Sequence, residues 1–294
     1  MIISNIIGGL GNQMFQYACA RALSLRQEAP LRVATDQFPL FHSHNGFEIA
    51  STFRCRPQFA TRADMVGMLG WQSPPGIRRL LARPAITPLQ KRAWVQEPSL
   101  RYWSGIEQVR APAYLSGYWQ SELYFSSHIQ DIRSDFQFDL EWDAPDLAVR
   151  EQLQAGTSVS VHVRRGDYTT AKNKGIYAGC TLDYYRDALR HVRQKAPGAR
   201  IFLFSDDPHW AQTNLQPEFG EMVIVSHNRG ARSSRDMRLM SLASHHVIAN
   251  SSFSWWGAWL NDSPDKIVVA PRQWFVDESR RDSSDLVPAN WIRL

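Results

Sequence analysis

Residues 159–168 read Val-Ser-Val-His-Val-Arg-Arg-Gly-Asp-Tyr. The alternating β-branched Val159, Val161 and Val163 predict a buried strand. A histidine, two adjacent arginines and an aspartate arrive together at its end: His162, Arg164, Arg165 and Asp167. The strand tips of an open α/β sheet are where ligands bind, and two guanidinium groups there can fork onto a diphosphate. The chemistry suggested is capture of an anionic leaving group such as the one a nucleotide sugar carries. Taken alone, the stretch also reads as a solvated strand end.

Three further polar clusters follow apolar runs in the same way. They are Ser205-Asp206-Asp207, Ser226, and Asn250-Ser251-Ser252-Phe253-Ser254. If the runs are parallel strands, all four clusters share the carboxyl edge of one sheet, which argues for a ligand crevice there. Asn250 to Ser254 feeds a helix. Its N–H groups and hydroxyls suit a phosphate, and a serine N-cap would fill one role without excluding the other. Arg164 and Arg165 adjoin on a strand and point to opposite faces. One reaches the ligand, and the other braces the site through a carboxylate such as Asp167. Asp206 and Asp207 lack the Asp-x-Asp spacing of a metal-dependent transferase. No metal is expected, and one of the pair is better employed accepting hydrogen bonds from a base or ribose. Trp255, Trp256 and Trp259 read as core.

The elements that must carry these groups alternate regularly. Strands are predicted at 158–163, 200–204, 222–225, 246–249 and 266–270. Helices are predicted at 182–195, 208–215, 235–244 and 254–261, with Thr181 as an N-cap. That alternation predicts a parallel sheet with right-handed crossovers. The amino-terminal part reads as a βαβ unit: strand 2–7, a glycine turn at 8–13, helix 14–27 and strand 31–35 ending at Asp36. Its glycines do not make the G-x-G-x-x-G fingerprint. Residues 53–112 carry seven prolines and read as short helices and loops. A strand at 113–118 and a helix at 121–136 follow. The expected division is 1–145 and 146–294, with a C-terminal tail that can pack back on the first domain.

Composition bounds the function. The chain has 294 residues, 44% hydrophobic and 21% charged, with net charge +5. It is globular and long enough for two domains. The charge suits an anionic ligand, or a weak attraction to an anionic membrane surface. No basic stripe with interleaved aromatics points to nucleic acid. Cys19, Cys55 and Cys180 have no metal-ligand spacing and suit a reducing compartment. The N-terminus lacks the basic and apolar regions of a signal peptide, and no apolar run spans a membrane. A cytoplasmic protein is expected, with at most peripheral contact at the inner face of the cytoplasmic membrane.

Four motifs in register resemble the family 11 glycosyltransferases, the α-1,2-fucosyltransferases and especially their bacterial members. They are Gly-Gly-Leu-Gly-Asn-Gln-Met-Phe-Gln-Tyr-Ala at 8–18, His-Val-Arg-Arg-Gly-Asp-Tyr at 162–168, Phe-Ser-Asp-Asp at 204–207 and Asn-Ser-Ser-Phe-Ser-Trp-Trp-Gly-Ala-Trp-Leu at 250–260. The resemblance implies an α/β chain of the GT-B type, two Rossmann-like domains facing across a cleft. It implies an inverting galactoside α-1,2-fucosyltransferase, moving L-fucose from GDP-β-L-fucose to the 2-hydroxyl of a terminal β-galactoside. The acceptor would be an oligosaccharide or glycolipid, and no cofactor or metal would be needed. It implies Arg164 on the diphosphate, His162 and Asp207 near the guanosine, and Ser226, Ser252, Phe253 and Ser254 lining the donor pocket. Asn12 and Gln13 would face the cleft from the first domain. For the base, Asp36, His42, His44 and Glu48 are available, and Asp36 is favoured; the β-phosphate itself is the alternative. Other readings are transfer from another GDP-sugar, another linkage, or a non-catalytic nucleotide-sugar-binding protein.

Overall fold

In the computed structural model, residues 1–40, 45–165, 178–279 and 281–294 are described. His42, His44 and Asp167 lie outside them. Contacts divide the chain into two units, 1–139 with 284–286, and 140–283 with 287–294.

The first unit is built on a parallel sheet ordered β2-β1-β4-β3. Its strands are β1 (Ile2–Asn5), β2 (Leu31–Ala34), β3 (Trp94–Gln96) and β4 (Ala113–Ser116). Helix α1 (Leu10–Arg26) follows β1 directly. The turn is shorter than the glycines suggested, because only Gly8 (φ +81°) lies in the left-handed region and Gly9 already caps the helix. Asn12 and Gln13 therefore belong to the first turn of α1. That helix is buried on nearly every side, as an apolar, alanine-rich sequence requires. The irregular middle holds α2 (Ile49–Thr52), α3 (Arg62–Leu69) and α4 (Pro75–Leu81). Met65, Met68, Leu69 and Leu81 of this region pack on Ile3, Ala34, Trp94 and Tyr114 of the sheet. The helix expected at 121–136 is broken. Two short 3-10 turns precede α5 (Ile129–Asp135), and the Ser121 hydroxyl caps the first of them.

The second unit carries six parallel strands in the order β10-β9-β8-β5-β6-β7. These are β5 (Ser158–Val163), β6 (Arg200–Ser205), β7 (Met222–Val225), β8 (His245–Val247), β9 (Val268–Ala270) and β10 (Ile292–Arg293). Helices α6 (Ala144–Gln154), α7 (Leu182–Lys195), α8 (Pro208–Phe219), α9 (Ser234–Met240) and α10 (Ser252–Leu260) complete it. The period of two sorts the faces. Val159, Val161, Val163, Ile201 and Leu203 pack with Tyr185, Leu189 and Leu215 of α7 and α8. Phe202 and Phe204 point the other way, into a cluster with Val149, Leu153, Leu239 and Met240 of α6 and α9. No helix among the described residues is long and apolar enough to cross a membrane.

The second face of β5 is polar, and Ser160 and His246 pair there. His246 Nδ1 lies 2.9 Å from Ser160 Oγ, and the Asn261 amide lies 3.1 Å from Nε2. Asn261 can only donate there, so Nδ1 carries the proton and Ser160 accepts it. Burial, and then the charge of Lys266, push the His246 imidazole down to about 3. Its folded pKa lies below the unfolded value of 6.5, so its contribution to stability is complete above 6.5. That contribution drains away as pH falls towards 3. Urea midpoints should therefore drop steadily on acidification from about pH 7 to 4, and His246→Gln should flatten that slope. An unchanged slope in the variant would assign the acid sensitivity to other groups.

Candidate functional site

The parallel register places the strand ends side by side: Val163 pairs with Ser205, and Phe204 with Val225. A cavity of about 360 Å³ opens at this carboxyl edge. His162 and Arg164 reach it from β5, Phe204 to Asp206 from β6, and Ser226 from β7. Asn228, Arg229 and Gly230 line it from the loop after β7, Asp236 and Met240 from α9, and Phe253 from α10. His162 is on the polar face of β5, and its ring centroid lies 6.0 Å from that of Phe253.

Strand β5 ends at Val163, and beyond it the two arginines diverge. Arg164 Nη1 lies 3.4 Å from the Ser251 hydroxyl. Ser251 is the N-cap of α10, accepting from the Phe253 amide at 3.3 Å. The Arg164 guanidinium thus sits at a helix N-terminus, where the backbone dipole adds to its positive charge. Arg165 turns to α8 instead. Its backbone N–H donates to Asp206 at 2.9 Å and its Nε to Asp207 at 3.3 Å. The guanidinium lies 4.2 Å from the ring centroid of Trp210. Among the described residues, Asp207 pairs with the Arg165 guanidinium and Asp206 with its backbone.

Several expected ligand groups are structural. Asp207 caps α8 through the Trp210 amide and holds Arg165; it does not line the cavity. Asn250 clamps the Ala178 and Trp274 carbonyls. Ser254 is buried and bonds back to the Ser251 carbonyl. Ser252 is the first residue of α10 and does not line the cavity either. Trp255, Trp256 and Trp259 are buried. In the first unit, Gln13 is held by backbone groups. It is fully buried, donating to the carbonyls of Gly8 and Gly46 and accepting from the Glu48 amide. Asn12 accepts from the Gln120 amide at 2.7 Å.

The sequence reading missed the loop after β7 and the carboxylate of α9. A buried hub holds both in place. Asp146, at the start of α6, accepts from His227 at 2.9 Å and from Asn228 and Arg235 at 2.8 Å. Burial alone would raise its carboxyl, but those hydrogen bonds outweigh burial and hold it below the usual range. Asn228 then donates to Asp236 at 2.9 Å. Burial pushes Asp236 up to about 7 against that hydrogen bond, helped by the nearby Asp146 charge. Helices α9 and α10 pass closely at Gly257, where a Cβ would stand 3.1 Å from Met240 Cβ. The available signal was spacing: Asp236 and Met240 lie four residues apart, on one helix face.

Asp36, the favoured base, ends β2 with its carboxylate ion-paired to Arg78. Arg78 is fully buried and also bonds the Ser73 carbonyl and the Tyr114 hydroxyl, each at 2.9 Å. Asp36 thus holds a buried cation. With Asp36 itself 45% exposed, Asp36→Asn should cost about 1–3 kcal/mol of stability, less than a fully buried pair. A variant that melts like the parent but loses turnover would support the role of base.

The family model for glycosyl transferase family 11 matches residues 104–294. An α-1,2-colitosyltransferase of Escherichia coli is 31% identical, over 100% of this chain and 99% of its own. A galactoside α-(1,2)-fucosyltransferase 2 of Hylobates lar is 25% identical over 97% of this chain and 80% of its own. Among solved structures, the fucosyltransferase NodZ from Bradyrhizobium matches with a TM-score of 0.53 and 16% identity, over 87% of this chain and 91% of that one. That likeness spans both units and shows the fold: two Rossmann-like α/β units of the GT-B type.

Proposed function

The chain belongs to glycosyltransferase family 11, and on that footing we propose that it transfers L-fucose from GDP-β-L-fucose to the 2-hydroxyl of a terminal β-galactoside, inverting the anomeric centre. The observation that carries the donor side is Arg164 at the N-terminus of α10, inside a cavity on the carboxyl edge of the sheet. Charge builds on the diphosphate as the glycosidic bond breaks. A guanidinium and a helix terminus fixed beforehand stabilise that charge without reorganisation. Arg229 supplies a second cation to the same cavity. These groups would do the work of a metal, so a transferase that needs none is the reading they support. The rest of the lining suits a base. Phe204, Met240 and Phe253 provide apolar wall, and Asp236 provides a carboxylate. Guanine offers two adjacent N–H donors to such a carboxylate, and uracil offers one.

A second donor is favoured by a specific observation. The Escherichia coli relative at 31% identity is named for colitose rather than fucose. The deciding experiment is a donor panel of GDP-fucose, GDP-colitose and GDP-mannose on lactose with EDTA present throughout, the linkage being read by NMR. An α-1,2-fucosylated product is expected. Exclusive use of GDP-colitose would move the assignment to the relative's donor. Donor binding with no transfer and no hydrolysis would leave a binding protein.

Arg164→Ala should lose about a hundred- to a thousandfold in kcat, about 2.7–4 kcal/mol, with its melting temperature kept. Arg164→Lys should rescue poorly, because the planar fork is gone. Arg165→Ala should lose stability first, since Arg165 braces α8. Turnover of Arg164→Ala within a few-fold of the parent would overturn its role.

The Asp236 carboxyl sits near 7, and a base that donates protons to it needs the ionised form. Guanosine carries no phosphate to titrate near neutrality, so it reads this group alone. Its affinity should rise with pH through about 7 and level off above, changing about tenfold per unit well below that point. Asp236→Asn should bind weakly with no such dependence, as measured by calorimetry. A parent with flat affinity across that range would remove Asp236 from base recognition.

A further inference from the structure

Between Met65 and Gln96 the chain has no Asp or Glu but five cations: Arg78, Arg79, Arg83, Lys91 and Arg92. Removing these five from the chain's 33 Lys and Arg leaves 28, equal to its 28 Asp and Glu. The entire excess of positive charge therefore lies in this one stretch of the first unit. Arg78 is buried there, while Arg79, Arg83, Lys91 and Arg92 are exposed.

The same stretch shows its apolar residues on both sides. Met65, Met68, Leu69 and Leu81 fill the core against the sheet. Trp71, Leu89 and Leu80 do not join them, and are 63%, 61% and 50% exposed. Hydrogen bonds stitch their segments together. Gln72 donates to the Leu89 carbonyl at 2.7 Å and accepts from the Lys91 amide at 3.0 Å. Gln90 donates to the Leu81 carbonyl at 2.9 Å. The Lys91 ammonium lies beside Gly70, 2.6 Å from where a Cβ would stand there. An exposed indole, two exposed leucines and four exposed cations, in a stretch with no Asp or Glu of its own, are thus held on neighbouring segments.

We propose that this face is a docking surface for an anionic lipid bilayer, into whose headgroup region Trp71, Leu80 and Leu89 insert while Arg83, Lys91 and Arg92 meet the lipid phosphates. Charge complementarity selects this occupant. Single exposed apolar residues need no explanation, but an indole with leucines and one-signed charge is the pattern of an interfacial membrane contact. Each cation near an anionic surface adds about 1 kcal/mol to binding, and the attraction is screened by salt. A second copy of this chain would bring the same cations face to face, which opposes self-association at this surface. The inference is independent of which sugar the enzyme transfers.

The test is co-sedimentation of the full chain with phosphatidylcholine vesicles, with and without about one-third phosphatidylglycerol. Binding is expected to the anionic vesicles only, weakening as salt rises. The Lys91→Glu, Arg92→Glu double variant should lose at least about tenfold in partitioning. Trp71→Ser with Leu89→Ser should lose binding even at low salt, while transfer to a soluble acceptor stays at the parent's rate. Should the serine variant misfold, the charge-reversed variant, which leaves the apolar residues in place, carries the test. No binding to anionic vesicles at low salt, or binding indifferent to both variants, would overturn the proposal. So would concentration-dependent dimerisation in light scattering that the serine variant abolishes while vesicle binding is absent.

Discussion

A parallel ladder is the constraint on which the second unit depends. Strands that run the same way and stay in register must end on the same edge. Polar residues written after each strand in sequence are then neighbours in space, however far apart they are in the chain. Val163 stands opposite Ser205, and Phe204 opposite Val225. The groups that follow them have nowhere else to converge. The alternation along each strand adds the second coordinate. The odd-numbered valines of β5 are committed to the core under α7 and α8. The even-numbered face is left for Ser160 and His162, on the side where α9 and α10 pack. The cavity forms where that face meets the carboxyl edge.

Edge and face place the site, but they do not fix its charges. Two arrangements of polar partners do that, and they work differently. Arg164 meets the hydroxyl of the N-cap Ser251, so its positive charge lies at the N-terminus of α10 and adds to the helix dipole. Asp146 is satisfied by three donors, two of them from the loop after β7. Removing a buried charge of that kind strands its partners, which is why such a hub enforces one loop conformation more than it adds net stability. Asn228 passes the constraint on to Asp236 through its second hydrogen bond. The first arrangement places a cation in the cavity wall, and the second keeps a carboxylate in place in the same wall.

The sequence made much of this legible, and the limits have physical causes. Period-two valines and repeated strand–helix alternation located β5, β7 and α7 to the residue. Long-range register then followed from parallelism alone. The divergence of Arg164 and Arg165 was also readable, although β5 ends before them and helix partners rather than strand pleating separate them. Local competition among polar side chains was not readable. Asp207 follows a strand end and looks like a ligand group, yet an aspartate in that position also caps the next helix, and here it does. Gln13 lies in a glycine-rich motif but satisfies backbone groups of its own turn, at Gly8, and of the distant segment at Gly46 and Glu48. Asp146 and Asn228 are 82 residues apart, and no periodicity couples them. Asp236 and Met240 had the right helical spacing, but nothing in it tells which face meets the cavity.

Net charge misleads most about place. An excess of five positive charges invites the inference that the protein is built to attract an anionic nucleotide. The cavity argues otherwise, because its Arg164 and Arg229 share the walls with Asp206 and Asp236. A pocket lined by charges of both signs attracts its ligand through fixed geometry and not through a general field. The surplus lies instead in the acid-free stretch of the first unit, where four of the five cations are exposed, in a segment that also exposes two leucines and an indole. Long-range attraction and close recognition are thereby carried by different surfaces of the same chain. High salt weakens the first far more than the second, since a half-buried guanidinium at a helix terminus is screened less than an exposed lysine.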